Sequence, residues 1–263
     1  MRTSTALLLC LLTTSVGCST VPDSQAPPAP QLGVFSRSTA TTAEGTLEFE
    51  GKVNFDPGDR LAVPLRFKYG LDEATEGYID VSPLNYAQRD GTDDVVGFGD
   101  LRLGVRNRFF DEKESQTSGA VQTELKLPTG KDEGGISTGE FDFLAAAMVT
   151  KGFTEKGEAT AYYEIGLLGD PTGSGIDLQH LIALKGHWWF SDETAFFGEF
   201  ANFYGANDID PVYLDVGLAR QLSDETVIEL IGVFGLNDDA ADAAMVLSVT
   251  TNFGELGGSS KAN

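Results

Sequence analysis

The sequence predicts an all-β chain: a closed antiparallel transmembrane β-barrel of about twelve strands, preceded by an N-terminal signal and a flexible tether. Three observations point there. From residue 46 onward, segments recur in which apolar and polar residues alternate, the mark of a strand with one dry and one wet face. Their lengths sit near the roughly 9–11 residues a tilted membrane-crossing strand needs, whereas soluble strands peak at about 5–6. The connections between them mostly alternate between short and long, as the two ends of an outer-membrane barrel do.

The elements follow in order. Arg2 supplies a positive charge, and residues 6–12 (ALLLCLL) are an apolar run too short to span a bilayer as a helix, so residues 1–17 read as an export signal. Val16-Gly17-Cys18 resembles the end of a bacterial lipobox, in which the Cys18 thiol is acylated, although Ser15 stands where that motif prefers Leu. Ordinary signal-peptidase cleavage is the competing reading, since Ser15 and Gly17 are both small. Ser19, in place of Asp, fits outer-membrane sorting by resemblance to lipoproteins. Cys10 lies in the segment to be removed, which leaves at most Cys18 and no internal disulfide or cysteine metal site. Residues 18–45, Pro-rich and then rich in Ser, Thr and Ala, read as a flexible tether.

The barrel is expected over 46–253, with strands at 46–55, 61–69, 76–83, 100–110, 119–128, 140–152, 158–168, 177–190, 194–204, 212–221, 226–236 and 243–253, and a C-terminal tail at 254–263. Compact charged turns lie at 111–117, 154–157, 191–193 and 223–225. Longer loops lie at 86–99, 129–139, 169–176, 205–211 and 237–242. With a periplasmic N-terminus the longer set is external; the short DPGD turn at 56–59 fits this rhythm less well. The 84–99 connection is expected to fold over the mouth.

Alternation separates the two faces. Leu47, Phe49, Val53 and Phe55 oppose Glu48, Glu50 and Lys52, and Leu65, Phe67 and Tyr69 oppose Arg66 and Lys68. Leu101, Leu103, Val105 and Phe109 oppose Arg102, Arg106 and Arg108, while Val121, Leu125 and Leu127 oppose Glu124 and Lys126. Further on, Lys185 and His187 share a face opposite Ile182, Leu184 and Trp188, and Asp215 opposes Leu214 and Val216. A soluble sandwich would alternate in the same way. Aromatic residues gathered near strand ends, and opposite charges one strand apart, favour a lipid-facing exterior and a wet lumen. The thirteen charged and histidine side chains just named then form a lumen ladder, either selective for solutes or simply satisfying one another.

Composition narrows the function. Acids outnumber bases 40 to 18 and the pI is near 4.2, which argues against a nucleic-acid partner. The two histidines, His180 on the apolar face and His187 among polar residues, lack the context of a nucleophilic triad, so no catalytic residue is assigned. The acidic stretches at 207–211 and 237–242 do not follow EF-hand spacing and read as solvated loops; no metal or cofactor is expected.

GFGDLRLGVRNRFF (97–110) is similar to the Gly-x-Gly-Asp strand of the MetA-pathway-of-phenol-degradation family of outer-membrane proteins. VQTELKLPTG (121–130) and ISTGEFDFLAAAMVTKGF (136–153) resemble that family's next two strands. The resemblance covers roughly residues 97–190. It implies an outer-membrane barrel of a Gram-negative envelope, porin-like, that moves small apolar or aromatic solutes and is surrounded by outer-membrane lipid. Two other readings stay open: a closed structural or surface barrel, and a lipid-anchored soluble β-sandwich that binds carbohydrate or protein.

Overall fold

The computed structural model describes residue 28 and residues 31–255, apart from 58–59, 89–92, 132–134, 171–174 and 206–208. The expected export signal, Cys18 and most of the C-terminal tail lie outside the described residues. Thirteen strands run in chain order: β1 (Thr46–Asp56), β2 (Arg60–Gly70), β3 (Thr75–Ala87), β4 (Val95–Gly97), β5 (Leu101–Glu112), β6 (Thr117–Leu127), β7 (Asp142–Thr154), β8 (Gly157–Gly169), β9 (Ile176–Trp189), β10 (Thr194–Tyr204), β11 (Val212–Ser223), β12 (Thr226–Gly235) and β13 (Ala243–Glu255). Each long strand pairs antiparallel with the next, and β1 pairs with β13, so twelve strands close into a ring. Closure leaves no open sheet edge, the condition for a sheet to cross a bilayer. It also overturns the soluble-sandwich alternative.

The face assignments hold in space. Leu184, Leu218, Leu230, Phe109, Phe196 and Phe253 each have half or more of their surface exposed. Glu48, Arg106, Glu199 and Asp215, on the opposite face, are at most 2% exposed. Apolar outside and charged inside inverts a water-soluble protein and suits a lipid surround. The short connections gather at one end of the barrel, including 71–74, where the Ala74 amide donates to Asp72 Oδ1 at 2.8 Å and holds that carboxyl below its ordinary range. The connection between β1 and β2 and the longer connections leave from the other end.

Two expectations change. The 84–99 connection does not fold across the mouth over its described part. Instead β3 continues to Ala87, and β4 turns back to pair with it, Asn85 opposite Gly97. The stretch 31–45 does not trail away as a tether. It enters the barrel from the short-turn end, dips into the lumen and returns to β1, and its backbone polar groups are paired by side chains of the wall.

Candidate functional site

Among the described residues the alternation gathers charge in the lumen, whose first wall is built by β1 to β7. Strand register places Glu48 opposite Lys68 and Glu50 opposite Arg66. Lys68 is ion-paired with Glu48, and its Nζ lies 3.8 Å from Glu50 Oε2, while Lys52 Nζ reaches Glu50 Oε1 at 2.9 Å. Arg66 forks onto Asp80, and its guanidinium lies 4.2 Å above the Tyr78 ring. Glu124 accepts from Arg102 at 2.7 Å and from the Tyr78 hydroxyl at 2.9 Å. Lys126 reaches Asp142 at 2.7 Å and donates to the Thr138 hydroxyl at 2.6 Å. Arg108 stands apart: it donates to the Glu73 carbonyl and pairs with Asp111 on the short-turn rim.

Buried ion pairs of this kind add little net stability against apolar replacements, but removing one partner costs about 3–5 kcal/mol. The members of the ladder along these strands are therefore interlocked.

The second wall is acidic and carries the plug. Along β9 to β12, Lys185 faces Glu199, Asp215 and Glu229. The Glu199 carboxylate accepts three consecutive amides: Val34 and Phe35 on Oε2, both at 2.9 Å, and Ser36 on Oε1 at 2.7 Å. Asp215 Oδ2 takes the Val34 amide as well, at 3.0 Å, and Glu229 takes Leu32 at 2.9 Å. Lys185 donates to the Gln31 carbonyl at 2.6 Å. Gly33 has φ +147°, and a Cβ there would lie 2.8 Å from Glu199 Oε2, so the turn that presents these amides needs glycine.

On the first wall, Arg106 Nη1 donates to the carbonyls of Ser38 and Ala40 at 3.3 and 2.9 Å, and Thr42 donates its amide to Glu76 at 2.7 Å. An irregular segment inside a barrel must find partners for its backbone; these charged side chains provide them. His187, half-buried, has Nδ1 3.8 Å from Glu158 near the short-turn end.

Apolar packing completes the seat. Leu32 is buried among Phe197, Val227 and Ile231, all on the inward face. The Phe35 ring stacks on Tyr213 with centroids 4.9 Å apart and meets Phe203 edge-on at 5.6 Å. Where the plug leaves the lumen, Gly45 N donates to the Gly70 carbonyl at 2.9 Å, and a side chain at Gly70 would fall on the Ala43 carbonyl. Gly70→Val should therefore unseat residues 42–45 at a cost of about 1–3 kcal/mol while the ring of strands persists. Hydrogen exchange checks this: faster exchange of the Thr42 and Gly45 amides is expected, and unchanged protection would contradict the seat.

Toward the long-loop end the lumen keeps a cavity of about 440 Å³. The plug residues Val34, Phe35 and Arg37 form its floor, and Lys52, Arg66 and Arg102 line its sides.

Sequence reasoning missed Glu76, Asp80, Tyr78, Glu199 and Glu229. The alternation that placed Glu48 and Glu50 inward applies equally to β10 and β12. A second signal was also present. β12 reads TVIELIGVFG and is apolar on both faces, with Val227, Ile231 and Val233 inward. Inward apolar residues in a wet lumen need a cover, and the plug supplies it.

A closed ring of strands with an apolar exterior and a charged interior defines a transmembrane β-barrel of the outer-membrane class. No protein-family profile and no curated protein matches this sequence. In solved structures the fold recurs. It is similar to an outer membrane channel, COG4313, from Pseudomonas putida F1, with a TM-score of 0.68 and 13% identity over 84% of this chain and 100% of that one. It is also similar to the KdgM porin, with a TM-score of 0.58 and 10% identity over 79% of this chain and 99% of that one, a protein also solved in complex with disordered oligogalacturonate. Identities this low speak to fold.

Proposed function

We propose that the chain is a channel for small solutes in the bacterial outer membrane, closed at rest by residues 31–45, with its short turns in the periplasm and its long loops outside. One observation carries this reading. A separate segment enters the lumen from one end and is held there by hydrogen bonds to wall side chains, with a polar cavity beyond it. Twelve strands fall between the eight or so of a barrel filled by its own side chains and the roughly 16–18 of an open aqueous pore. A bore of this size can be closed by one extended segment.

The likeness to a channel and a porin supports the reading at the level of fold. The motif resemblance at 97–110, 121–130 and 136–153 favours apolar or aromatic solutes, with the charge ladder setting selectivity. No enzymatic step is part of the proposal. The second reading, a structural barrel with a permanently shut lumen, is favoured by the density of ion pairs along β1 to β7. Refolded protein in planar bilayers separates the two: stepwise single-channel currents are expected for a channel, and silent membranes with heat-modifiable, folded protein would point to the structural reading.

We also propose that Cys18 is the acylated first residue of the mature chain. Labelling with a radioactive fatty acid should be lost in Cys18→Ser, and retained label would refute the anchor.

A further inference from the structure

The plug itself shows what its seat takes. Phe35 fills the seat with two groups at once. Its backbone N–H donates to Glu199 Oε2 at 2.9 Å. Its ring stacks on Tyr213 with centroids 4.9 Å apart and meets Phe203 edge-on at 5.6 Å. The nitrogen, Cα, Cβ and phenyl ring of this residue are together the skeleton of 2-phenylethylamine. The neighbouring amides reach the same carboxylates, Val34 donating to Glu199 and Asp215 and Ser36 to Glu199.

The electrical match is incomplete. On the first wall, carboxylates and cations are joined in ion pairs. Around the plug, three buried carboxylates, Glu199, Asp215 and Glu229, face one buried cation, Lys185. Lys185 in turn donates to the Gln31 and Ser36 carbonyls at 2.6 and 3.5 Å. The plug's amides donate hydrogen bonds to the acids but bring no charge. An ammonium group brings both, and charge-assisted hydrogen bonds are roughly twice as strong as neutral ones. A carboxylate would be repelled from this wall, and a bare apolar ring would leave its acids unmatched.

The seat is reached from the long-loop end. Val34 and Phe35 line the cavity of about 440 Å³ there, and Phe35, Phe203 and Tyr213 are half-buried rather than sealed. The carboxylates lie beneath the plug and open to a ligand as its amides leave.

We propose that the seat of the plug binds an arylalkyl ammonium ion. Its ring takes the place of Phe35 against Tyr213 and Phe203, and its ammonium group takes the place of the amides between Glu199 and Asp215. Ligand and plug compete for one seat, so bound ligand holds residues 34–36 out of it. This deepens the channel reading and rests on it for the consequence, a pore opened by its own solute.

Calorimetric titration of the refolded full chain in detergent tests the site, with 2-phenylethylammonium, phenylacetate and ethylammonium as probes. Saturable binding of 2-phenylethylammonium is expected. Phenylacetate, a ring without the cation, and ethylammonium, a cation without the ring, should each bind at least about tenfold more weakly. Phe35→Ala removes the competing ring and should tighten binding by about threefold or more. Phe35 lies on the plug and in no strand, so the variant should keep its heat-modifiable migration. Hydrogen exchange of the full chain with saturating ligand should show faster exchange of the Val34, Phe35 and Ser36 amides. Absence of saturable binding, equal binding of either control, unchanged or weaker binding in Phe35→Ala, or unchanged exchange of these amides would overturn the proposal. Bilayer currents from the same preparation keep the two readings apart. Current without binding defeats the site alone, whereas binding without current defeats the channel and leaves the site standing.

Discussion

Removing residues 19–44 is expected to raise single-channel conductance several-fold while leaving the ring of strands folded. The plug makes no strand of the barrel; its contacts include hydrogen bonds to Glu199, Asp215, Glu229, Glu76, Lys185 and Arg106, apolar packing on β10 to β13, and contacts with Glu50, Gly70 and Ser118. Closure of the ring depends on the pairing of β1 with β13, which begins at Thr46. Taking the plug away exposes carboxylates and cations to lumen water, which can hydrate them, so the cost to the barrel is small beside the gain in bore. The shortened chain should still migrate as a folded species before heating. Conductance equal to that of the full chain would mean that residues 31–45 do not limit the pore.

Glu199→Ala should give the second largest effect, an increase in the fraction of time the pore is open. One carboxylate serves three successive amides. Each buried amide left without a partner costs about 1–3 kcal/mol, so losing the carboxylate weakens closure by roughly 3 kcal/mol or more, about a hundredfold in the closed-to-open ratio. Glu199→Gln keeps one acceptor oxygen and should fall between wild type and Ala. Asp215 shares the Val34 amide and cannot replace the other two bonds. Channel recordings of the three proteins at one voltage measure the ordering. Identical open fractions would show that the plug is held by packing of Leu32 and Phe35 rather than by the carboxylate.

Much of the fold was legible because a strand has a period of two, and a barrel makes every strand obey it. Leu101, Leu103 and Val105 against Arg102 and Arg106 could be sorted from the chain alone; what faced outward followed from strand length and aromatic placement. Arg108 was assigned to the lumen by the same parity. Arg108 keeps that parity, opposite the buried Ala120, but it is the last inward position before the register shift at the short-turn end of β5, so its side chain reaches the Glu73 carbonyl on the rim rather than the ladder. The ladder of Glu48, Glu50, Arg66 and Lys68 was legible because its partners sit one strand away in a hairpin.

Of the acidic seat only Asp215 was. Glu199, Asp215 and Glu229 lie on three strands, and what they hold is the backbone of residues 32–36, whose amides leave no trace in side-chain chemistry. Residues 31–45 read as part of a tether because they follow a Pro-rich stretch and are themselves rich in Ser, Thr and Ala, a composition that reports low intrinsic structure. It does not report that a lumen lined with charged groups can supply partners for a chain that has none of its own.

The claim that residues 31–45 lie inside the barrel and gate it is tested most directly by a covalent lock. Thr39 Oγ1 and Ser118 Oγ are 2.5 Å apart, and cysteines at these positions match the reach of a disulfide. In a background with Cys10 and Cys18 replaced by Ser, the Thr39→Cys/Ser118→Cys protein should form the bond on mild oxidation, hold single-channel current at its lowest level, and recover gating when a reductant is added during the recording. No bond between positions 39 and 118, or current indifferent to the reductant once the bond has formed, would contradict a plug seated in the lumen.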